Sequence, residues 1–344
     1  MTILRKSRRS AGRVTLDDVA QAAGVSPITV SRALRGERSV DPKLVAQVLE
    51  AAATLGYVPD PAARALASQR SDHVAILIPK LSNALFVDLL DAAQQTLRTA
   101  GYQALIGVTH YDAAQEEQLL REQLMHRPAG VLLTGLDSSA GTQALVARSG
   151  VPCVHLMDLP PPGSASQQHC VGFRQIDAGV AITRHLLARG RRRIAFAGAQ
   201  LDERVLQRLY GWRQALEEAE CYNPTLEWLN PQSSSLALGG VLFRQILHEQ
   251  PDVDAIFFCN DDLAQGALLA ALRDGIAVPE RVAVAGFNDL TGSDQMMPTL
   301  TTVRTPRAEI GRTAAQHLLA LMQGGNPMPA LVDLGFELVV REST

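Results

Sequence analysis

The chain has 344 residues and a mass of 37.0 kDa, with 47% hydrophobic and 19% charged residues and a formal net charge of −3 at pH 7. This length exceeds one ordinary core and suits two or three domains. The apolar runs are far shorter than the ~20 residues of a membrane-spanning helix, and no apolar segment follows the charged N-terminus, so we expect neither a membrane-spanning nor a secreted protein.

Charge is distributed unevenly along the chain. Residues 1–70 carry 11 Lys and Arg against 6 Asp and Glu, a net charge of +5, whereas residues 71–344 carry 21 against 29, a net charge of −8. The four cysteines lie far apart without a C-x-x-C pair, which argues against a disulfide framework and against a zinc ribbon or finger. We expect four reduced thiols, as in a cytoplasmic protein.

Two helix starts separated by one glycine follow a basic tail of about ten residues. Thr15 can cap a first helix with an acidic first turn, and Gly24 breaks it. Ser26 then caps a second helix with Pro27 at its first position, where a missing N–H costs nothing. A third helix is predicted after Asp41. Three short helices with a tight turn between the first two predict a helix-turn-helix unit.

The second helix of such a unit enters the major groove of DNA, and its N-terminal residues face the base edges. Arg32 can pair bidentately with a guanine, and the hydroxyl groups suit phosphates. A surface arginine is usually only solvated, but this one lies within a 20-residue helix-turn-helix pattern, in an N-terminal segment whose net charge suits phosphate contact. The candidate DNA-contacting residues are Thr15, Ser26, Pro27, Ile28, Thr29, Ser31 and Arg32.

A different pattern begins at His73. Short apolar runs bounded by turn residues alternate with helical stretches, which predicts parallel sheets covered by helices on both faces. This region of some 270 residues exceeds one doubly wound sheet, so we expect two lobes with a ligand site between them, at the carboxyl ends of the strands. The predicted strands are 74–78, 104–108, 130–133, 153–156, 194–197, 255–259 and 282–285.

This region carries no motif for catalysis or nucleotide binding. G-x-G-x-x-G, the Walker-type phosphate loop, G-x-S-x-G and H-E-x-x-H are all missing, and the histidines are scattered. We therefore expect a protein that is not an enzyme and that takes no cofactor and no metal.

Four segments of the head form one pattern: Thr15-Leu-Asp-Asp-Val-Ala20, Ala23-Gly-Val-Ser26, Thr29-Val-Ser-Arg32 and Leu55-Gly-Tyr-Val-Pro59. This pattern resembles the DNA-binding head of the lactose-repressor (LacI/GalR) family of bacterial transcription factors, and the similarity extends over essentially the whole chain. The resemblance implies a cytoplasmic, nucleoid-associated homodimer on a palindromic operator. It also implies hinge helices that order on DNA and insert Leu66, next to Ala63, into the minor groove.

The resemblance also implies a domain plan. A basic tail and helix-turn-helix domain would span residues 1–58, and a hinge would span 59–72. An N-terminal effector lobe would combine 73–172 with 305–334, and a C-terminal lobe 173–304 with 335–344. The body would have the fold of periplasmic sugar-binding proteins.

Several residues of the body match the family's effector positions. Arg208 matches the arginine that forks onto the effector, Asn260 matches a polar residue of the same cleft, and Asn288 stands where an aspartate is common. Lys80 follows the first strand of the body and could reach the cleft mouth, or could be a solvated loop lysine. The candidate effector-binding residues are Lys80, Leu85, Phe86, Thr134, Asp158, Phe173, Arg204, Arg208, Asn260 and Asn288.

Arg204 lies four residues before Arg208, which places both guanidinium groups on one helix face, near a helix N-terminus that favours anions. The alternative is a salt bridge of Arg204 with Asp202 or Glu203. Two arginines without the usual aspartate suggest an anionic ligand, and a cleft whose charge is opposite in sign to that of the acidic body. Six short segments of the lobes resemble the gluconate-responsive branch of the family, which implies gluconate, with 2-ketogluconate or 6-phosphogluconate as alternatives.

These features predict a repressor of sugar-acid catabolism genes that a small anionic sugar acid releases from its operator. A ligand that instead tightens DNA binding, as a co-repressor, stays open. The hypothesis from another class is a sugar-acid-binding protein or sugar-acid enzyme with an incidental basic N-terminus.

Overall fold

The N-terminal segment folds into three short helices in the computed structural model, which describes residues 14–34, 36, 40–58, 71–81, 83–164 and 168–344. The predicted helix start at Thr15 is confirmed. Its hydroxyl accepts from the Asp18 N–H at 3.3 Å, and the Asp18 carboxylate accepts from the Thr15 N–H at 2.8 Å. Ser26 caps the second helix by accepting from the Thr29 N–H at 3.2 Å. The helices are α1 (Leu16–Ala22), α2 (Pro27–Leu34) and α3 (Pro42–Leu55).

These three helices enclose a small core of valines and alanines. Gly24 connects α1 to α2 with a φ of +63°, a backbone conformation that glycine adopts at little cost. The chain divides into two compact units between Ser71 and Asp72. The hinge predicted at 59–72, with Ala63 and Leu66, lies outside the described residues except for its last two positions. The core residues of the first unit are Val19, Ala20, Ala23, Val30, Ala33, Val48 and Ala52.

The second unit alternates strands and helices. Its strands are β1 (His73–Ile78), β2 (Gln103–Val108), β3 (Gly130–Thr134), β4 (Cys153–Leu156), β5 (His169–Gly172), β6 (Ile194–Ala199), β7 (Glu227–Asn230), β8 (Ala255–Phe258), β9 (Ala283–Ala285), β10 (Thr302–Arg304), β11 (Leu331–Asp333) and β12 (Glu337–Val339). Its helices are α4 (Val87–Thr99), α5 (Ala113–Met125), α6 (Ala140–Ser149), α7 (Gln175–Ala188), α8 (Glu203–Glu218), α9 (Leu236–Glu249), α10 (Asp261–Asp274) and α11 (Arg307–Met322). None of the helices in the described ranges is long and apolar enough to cross a membrane.

Two parallel sheets organise this unit, which confirms the predicted fold class. The first has the strand order β11-β5-β4-β3-β1-β2 and the second β7-β6-β8-β9, while β10 and β12 form an antiparallel pair. Alternate residues of β1 belong to different apolar clusters: Val74 and Ile76 to one, Ala75 and Leu77 to the other. The first sheet is therefore covered on both faces, as its continuous apolar strands require.

The chain crosses between the two sheets more than once. After β10, α11 packs against α4 and β11 joins the first sheet beside β5, whereas β12 returns to pair with β10. This pairing supports the lobe boundaries predicted near residues 172, 304 and 334, which stay a prediction. The sequence pattern missed β5, β7 and β10 to β12, because these strands have only three or four residues and carry polar side chains.

Candidate effector cleft and DNA-binding head

A cleft of about 570 Å³, open solvent included, lies where the strands of both sheets end. Its residues come from loops and helix starts that follow β1, β2, β6, β7, β8 and β9. This is the edge at which parallel sheets bind ligands. The lining residues are Lys80, Asn83, Leu85, Tyr111, Gln200, Asp202, Arg204, Val205, Arg208, Ser234, Asn260, Asp262 and Asn288.

Arg208 is the most deeply held cation of the cleft, with a 3% exposed side chain. Its Nε donates to the Gln175 side-chain oxygen at 2.9 Å, and its Nη1 donates to the Cys259 carbonyl at 2.7 Å. The guanidinium lies 3.9 Å from the ring centroid of Phe287. None of these partners is a carboxylate, and burial lowers the pKa of Arg208 to about 10.

Arg204 lies one helical turn earlier on α8 and is also buried. Its Nε lies 3.3 Å from the Asp202 carboxylate, so the salt bridge considered as the alternative does form. Its Nη1 is nevertheless buried without a hydrogen-bond partner. Burial opposes the charge of Arg204, but nearby acids, Asp202 foremost, raise its pKa above the ordinary value. One face of this guanidinium therefore stays available for an acceptor from a ligand.

The N-terminus of α8 is not the free anion site that the sequence suggested. The Asp202 carboxylate accepts from the N–H groups of Arg204 and Val205 at 3.1 and 3.4 Å, so it already occupies the helix end. An anionic ligand would have to rely on the arginine side chains. The start of α8 therefore positions the Arg204 side chain, but its first N–H groups are not free to bind a ligand.

The charged residues of the cleft nearly balance. Lys80, Arg204 and Arg208 stand against Asp202 and Asp262, which gives a net charge of +1 in a unit that is acidic overall. Burial raises the pKa of Asp262, and the charge of Lys80 acts in the opposite direction. The net charge of the cleft lining is therefore opposite in sign to that of the body, as predicted, by one unit charge.

Two asparagines present polar groups to the cleft. Asn260 caps α10, and its side-chain oxygen accepts from the Leu263 N–H at 3.2 Å and the Ser234 hydroxyl at 2.8 Å. This leaves its amide N–H groups without an acceptor among the described residues. Asn288 has a φ of +107°, and its side-chain oxygen is buried without a donor. Both groups suit the hydroxyls of a polyol.

Six of the ten predicted effector residues line the cleft: Lys80, Leu85, Arg204, Arg208, Asn260 and Asn288. The other four do not. The Thr134 hydroxyl donates to the Leu77 carbonyl, and Phe86 lies beneath Arg204, with 5.9 Å between guanidinium and ring centroid. Phe173 packs on Phe287, which itself supports Arg208.

Asp158 is the fourth predicted residue that does not line the cleft. It is 1% exposed, and its carboxylate accepts from the Leu159 N–H and the Gln207 amide. Burial raises its pKa to about 6, although the charge of Arg204 acts against that shift. These four side chains turn towards the core or the lobe junction and not into the cleft. Strand position alone does not determine that direction.

The sequence reasoning missed Asn83, Tyr111, Gln200, Ser234 and Asp262. The signal that could have identified them is their placement within a few residues of a strand end or at the start of the next helix. Asn83 donates to the Tyr111 hydroxyl at 3.4 Å, and burial raises the pKa of that phenol. No group of three or more His, Cys, Asp or Glu side chains in the described part of the chain could hold a metal ion.

The predicted DNA-contacting residues of the head lie on α2 and on the residues that cap α1 and α2. Ile28, the second residue of α2, is 65% exposed. Arg32 is exposed at the far end of α2, and Ser31 is half-buried. The hydroxyls of Ser26 and Thr29 lie 2.9 Å apart, and the Thr15 hydroxyl is engaged in its capping box.

The molecule thus combines a helix-turn-helix head with a ligand-binding body of two parallel sheets. The family model of bacterial regulatory proteins, lacI family, matches residues 15–60, and that of the periplasmic binding protein-like domain matches residues 183–344. The HTH-type transcriptional regulator GntR of Pseudomonas aeruginosa is 55% identical over 339 residues, 98% of this chain and 98% of its own length.

Solved structures give the same answer. The transcription regulator GntR from Chromobacterium violaceum is 52% identical with a TM-score of 0.76, over 79% of this chain and 98% of that one. The lac repressor dimer bound to operator and the anti-inducer ONPF is 25% identical with a TM-score of 0.85, over 96% of this chain and 99% of that one.

The chain belongs to the lacI family of bacterial regulatory proteins and is a DNA-binding transcriptional repressor. The predicted family is confirmed by these matches, two of which are regulators named GntR. The relatives reported above carry the names of transcriptional regulators.

Proposed function

We propose that the protein represses genes of sugar-acid catabolism and leaves its operator when a small anionic sugar acid binds in the cleft. Gluconate is the first candidate, and 2-ketogluconate and 6-phosphogluconate are the next. The observation that carries this proposal is the pair of buried arginines. Arg208 has only neutral partners, and Arg204 keeps a buried Nη1 without any.

A buried cation without a counter-charge is costly, and a carboxylate satisfies a guanidinium better than a neutral hydroxyl does. The polar groups of Asn260 and Asn288 then suit the hydroxyls along the carbon chain of a sugar acid. Lys80 and Leu85 complete the wall from the first sheet. Phe86, Thr134, Asp158 and Phe173 support this wall from behind.

On the DNA side, we infer a homodimer that places two heads on a palindromic operator. The exposed start of α2, with Pro27, Ile28 and Thr29, would face base edges, and Arg32 would pair with a guanine. Ser26, Ser31 and Thr15 would contact phosphates, and Ala63 with Leu66 would form the minor-groove hinge. The similar lac repressor binds its operator as a dimer, which supports this arrangement.

Ligand binding would be coupled to DNA release by closing the two lobes around the cleft. The differential contact is the ligand carboxylate, which meets Arg204 and Arg208 only when it is enclosed. A ligand shifts an equilibrium only by its different affinities for the two states, so this contact must be weaker in the operator-bound form.

The test is an operator titration by fluorescence anisotropy. The operator is selected from a randomised duplex pool with the wild-type protein, and the titration is repeated with gluconate, 2-ketogluconate, 6-phosphogluconate and glucose. We expect a sugar acid, and not glucose, to lower operator affinity at least about tenfold. Unchanged affinity with every acid contradicts the proposal, and tightened affinity indicates a co-repressor.

Arg204→Gln and Arg184→Gln form a matched pair for this titration. Both remove one guanidinium, but Arg184 lies on the surface, where it pairs with Glu218. We expect Arg204→Gln to lose most of the response to the acid while operator affinity without ligand is kept. Arg184→Gln should respond like the wild type, because exposed ion pairs contribute little. An equal response of both variants would remove Arg204 from the site.

A further inference from the structure

Gln175 connects the deepest arginine of the cleft to the first sheet. It is the first residue of α7 and is 0% exposed. Its side-chain oxygen accepts from Arg208 Nε at 2.9 Å, and its amide nitrogen donates to the Met157 carbonyl at 2.9 Å. Met157 follows β4, so one amide joins α8 to the end of a strand in the other sheet.

The two hydrogen bonds determine which way the amide points. A carbonyl oxygen can only accept, so the nitrogen of Gln175 must face Met157 and its oxygen must face Arg208. Gln175 therefore orients the guanidinium without adding charge. A glutamate has nearly the same shape and would offer Arg208 the same acceptor with a full negative charge, but it would lose the N–H that donates to the Met157 carbonyl.

The other direct contacts of Arg208 are also neutral, although the charges of Asp202 and Arg204 act on it without touching it. The Cys259 carbonyl and the ring of Phe287 are its other contacts, and no carboxylate forms an ion pair with it within the described residues. Buried charges in proteins are normally paired. Burial lowers the pKa of Arg208, and the charge of Asp202 opposes this shift without cancelling it. The missing counter-charge is left for the ligand.

We propose that Gln175 is a specificity-determining residue: its neutral amide holds Arg208 in place and leaves the positive charge for the carboxylate of the ligand. This inference rests on the proposed function, because it assigns a reason for the preference for acids at the same cleft. Gln175 does not line the cleft, so it acts through Arg208 as a positioning residue.

The experiment compares Gln175→Glu with Gln175→Met by calorimetric titration of the full-length protein. The probes are gluconate and glucitol, the neutral polyol of the same length. Glutamate keeps the acceptor for Arg208, whereas methionine removes it. Both variants lose the donor to the Met157 carbonyl, so if Gln175 acted only through its hydrogen bond to Arg208, the glutamate variant would bind gluconate better than the methionine variant. If Gln175 acts by leaving the charge of Arg208 uncompensated, the methionine variant binds gluconate better.

We expect Gln175→Glu to bind gluconate at least about tenfold more weakly than Gln175→Met. The new carboxylate would form an ion pair with Arg208 and would repel the carboxylate of gluconate. Binding of glucitol should be equal in the two variants or favour glutamate. Gln265→Glu is the matched control, since Gln265 is also a buried glutamine, bonded to Ser293 and not to an arginine. It should keep the wild-type ratio of gluconate to glucitol affinity.

Gluconate binding by Gln175→Glu that equals or exceeds that of Gln175→Met overturns the inference. If neither variant folds, as judged by circular dichroism, the affinities of the wild-type protein test the inference. The wild type should bind gluconate about thirtyfold or more tightly than glucitol. Equal affinities for the two probes overturn the inference. If the wild type binds no sugar acid at all, the proposed function fails together with it. If the wild type binds sugar acids but Gln175→Glu binds gluconate as well as Gln175→Met does, only the role of Gln175 is contradicted, and the proposed function stands.

Discussion

The head and the body of this protein build their functional surfaces in opposite ways. In the head, the residues expected to contact DNA lie within 18 consecutive positions, from Thr15 to Arg32, and most of them are exposed. In the body, Arg204 and Arg208 are buried, and the cleft around them comes from residues between Lys80 and Asn288. One surface is local in sequence, and the other exists only after long-range assembly.

The two functions are therefore vulnerable in different places. The head needs two caps and one glycine turn, which neighbouring residues determine, and a small core that joins α1 and α2 to α3. The body needs helices that approach each other closely enough to bring buried polar groups into contact. A substitution far from the cleft can therefore remove effector binding, whereas the head is most sensitive at the residues that touch DNA.

The strongest effect should arise at the contact between α7 and α8. A Cβ atom on Gly179 would lie 2.5 Å from the Arg208 carbonyl oxygen, so Gly179→Ala must separate the helices that carry Gln175 and Arg208. We expect the body to lose about 3 kcal/mol of unfolding free energy, with loss of gluconate binding. Urea unfolding followed by fluorescence measures this, since both tryptophans, Trp212 and Trp228, lie in the body.

Gly24→Ala in the head is the control for Gly179→Ala. Nothing lies within 4 Å of a Cβ atom there, and only the positive φ opposes the change. It should cost the head about 1 kcal/mol and leave gluconate binding unchanged. If Gly179→Ala keeps the wild-type stability and gluconate affinity, the body does not depend on this close helix contact. The proposed difference between the two units, long-range packing in the body against local contacts in the head, would then be wrong.

A somewhat smaller effect is expected at the DNA-binding surface of the head. Arg32→Ala should weaken binding to the selected operator by about 2 kcal/mol, because a bidentate contact with guanine is lost. Binding to a DNA duplex of unrelated sequence should change far less. Arg98→Ala removes the same charge from an exposed position on α4 and serves as the control. Anisotropy titrations on both duplexes measure the ratio, and equal losses on the two would show that Arg32 contacts phosphates only.

The weakest effect concerns a buried carboxyl group at the lobe junction. The pKa of Asp158 is raised to about 6, so the folded body binds a proton that the unfolded chain releases near pH 4. Relative to Asp158→Asn, the wild type should gain about 1 kcal/mol of unfolding free energy as the pH falls from 7 to 5. Urea unfolding at several pH values measures this difference. If the unfolding free energies of the two proteins change equally between pH 7 and pH 5, Asp158 does not titrate in that range.

The predictions from sequence went furthest where structure follows from neighbouring residues. Thr15, Ser26 and Gly24 determine the start, the second cap and the turn of the head through contacts within three or four positions. The strand and helix alternation of the body was readable for the same reason. The missed strands β5, β7 and β10 to β12 are short, and their pairing with distant strands decides their conformation.

The amino-acid pattern was sufficient for the three-helix head, the parallel sheets, and the arginines spaced one helical turn apart on α8. It could not determine which polar side chain meets which, because those contacts join residues far apart in the chain. The assembled fold was needed to place Asp202 on the end of α8, Asp158 behind the cleft wall and the neutral Gln175 against Arg208. Burial makes such pairings strong, and burial is a property of the tertiary structure.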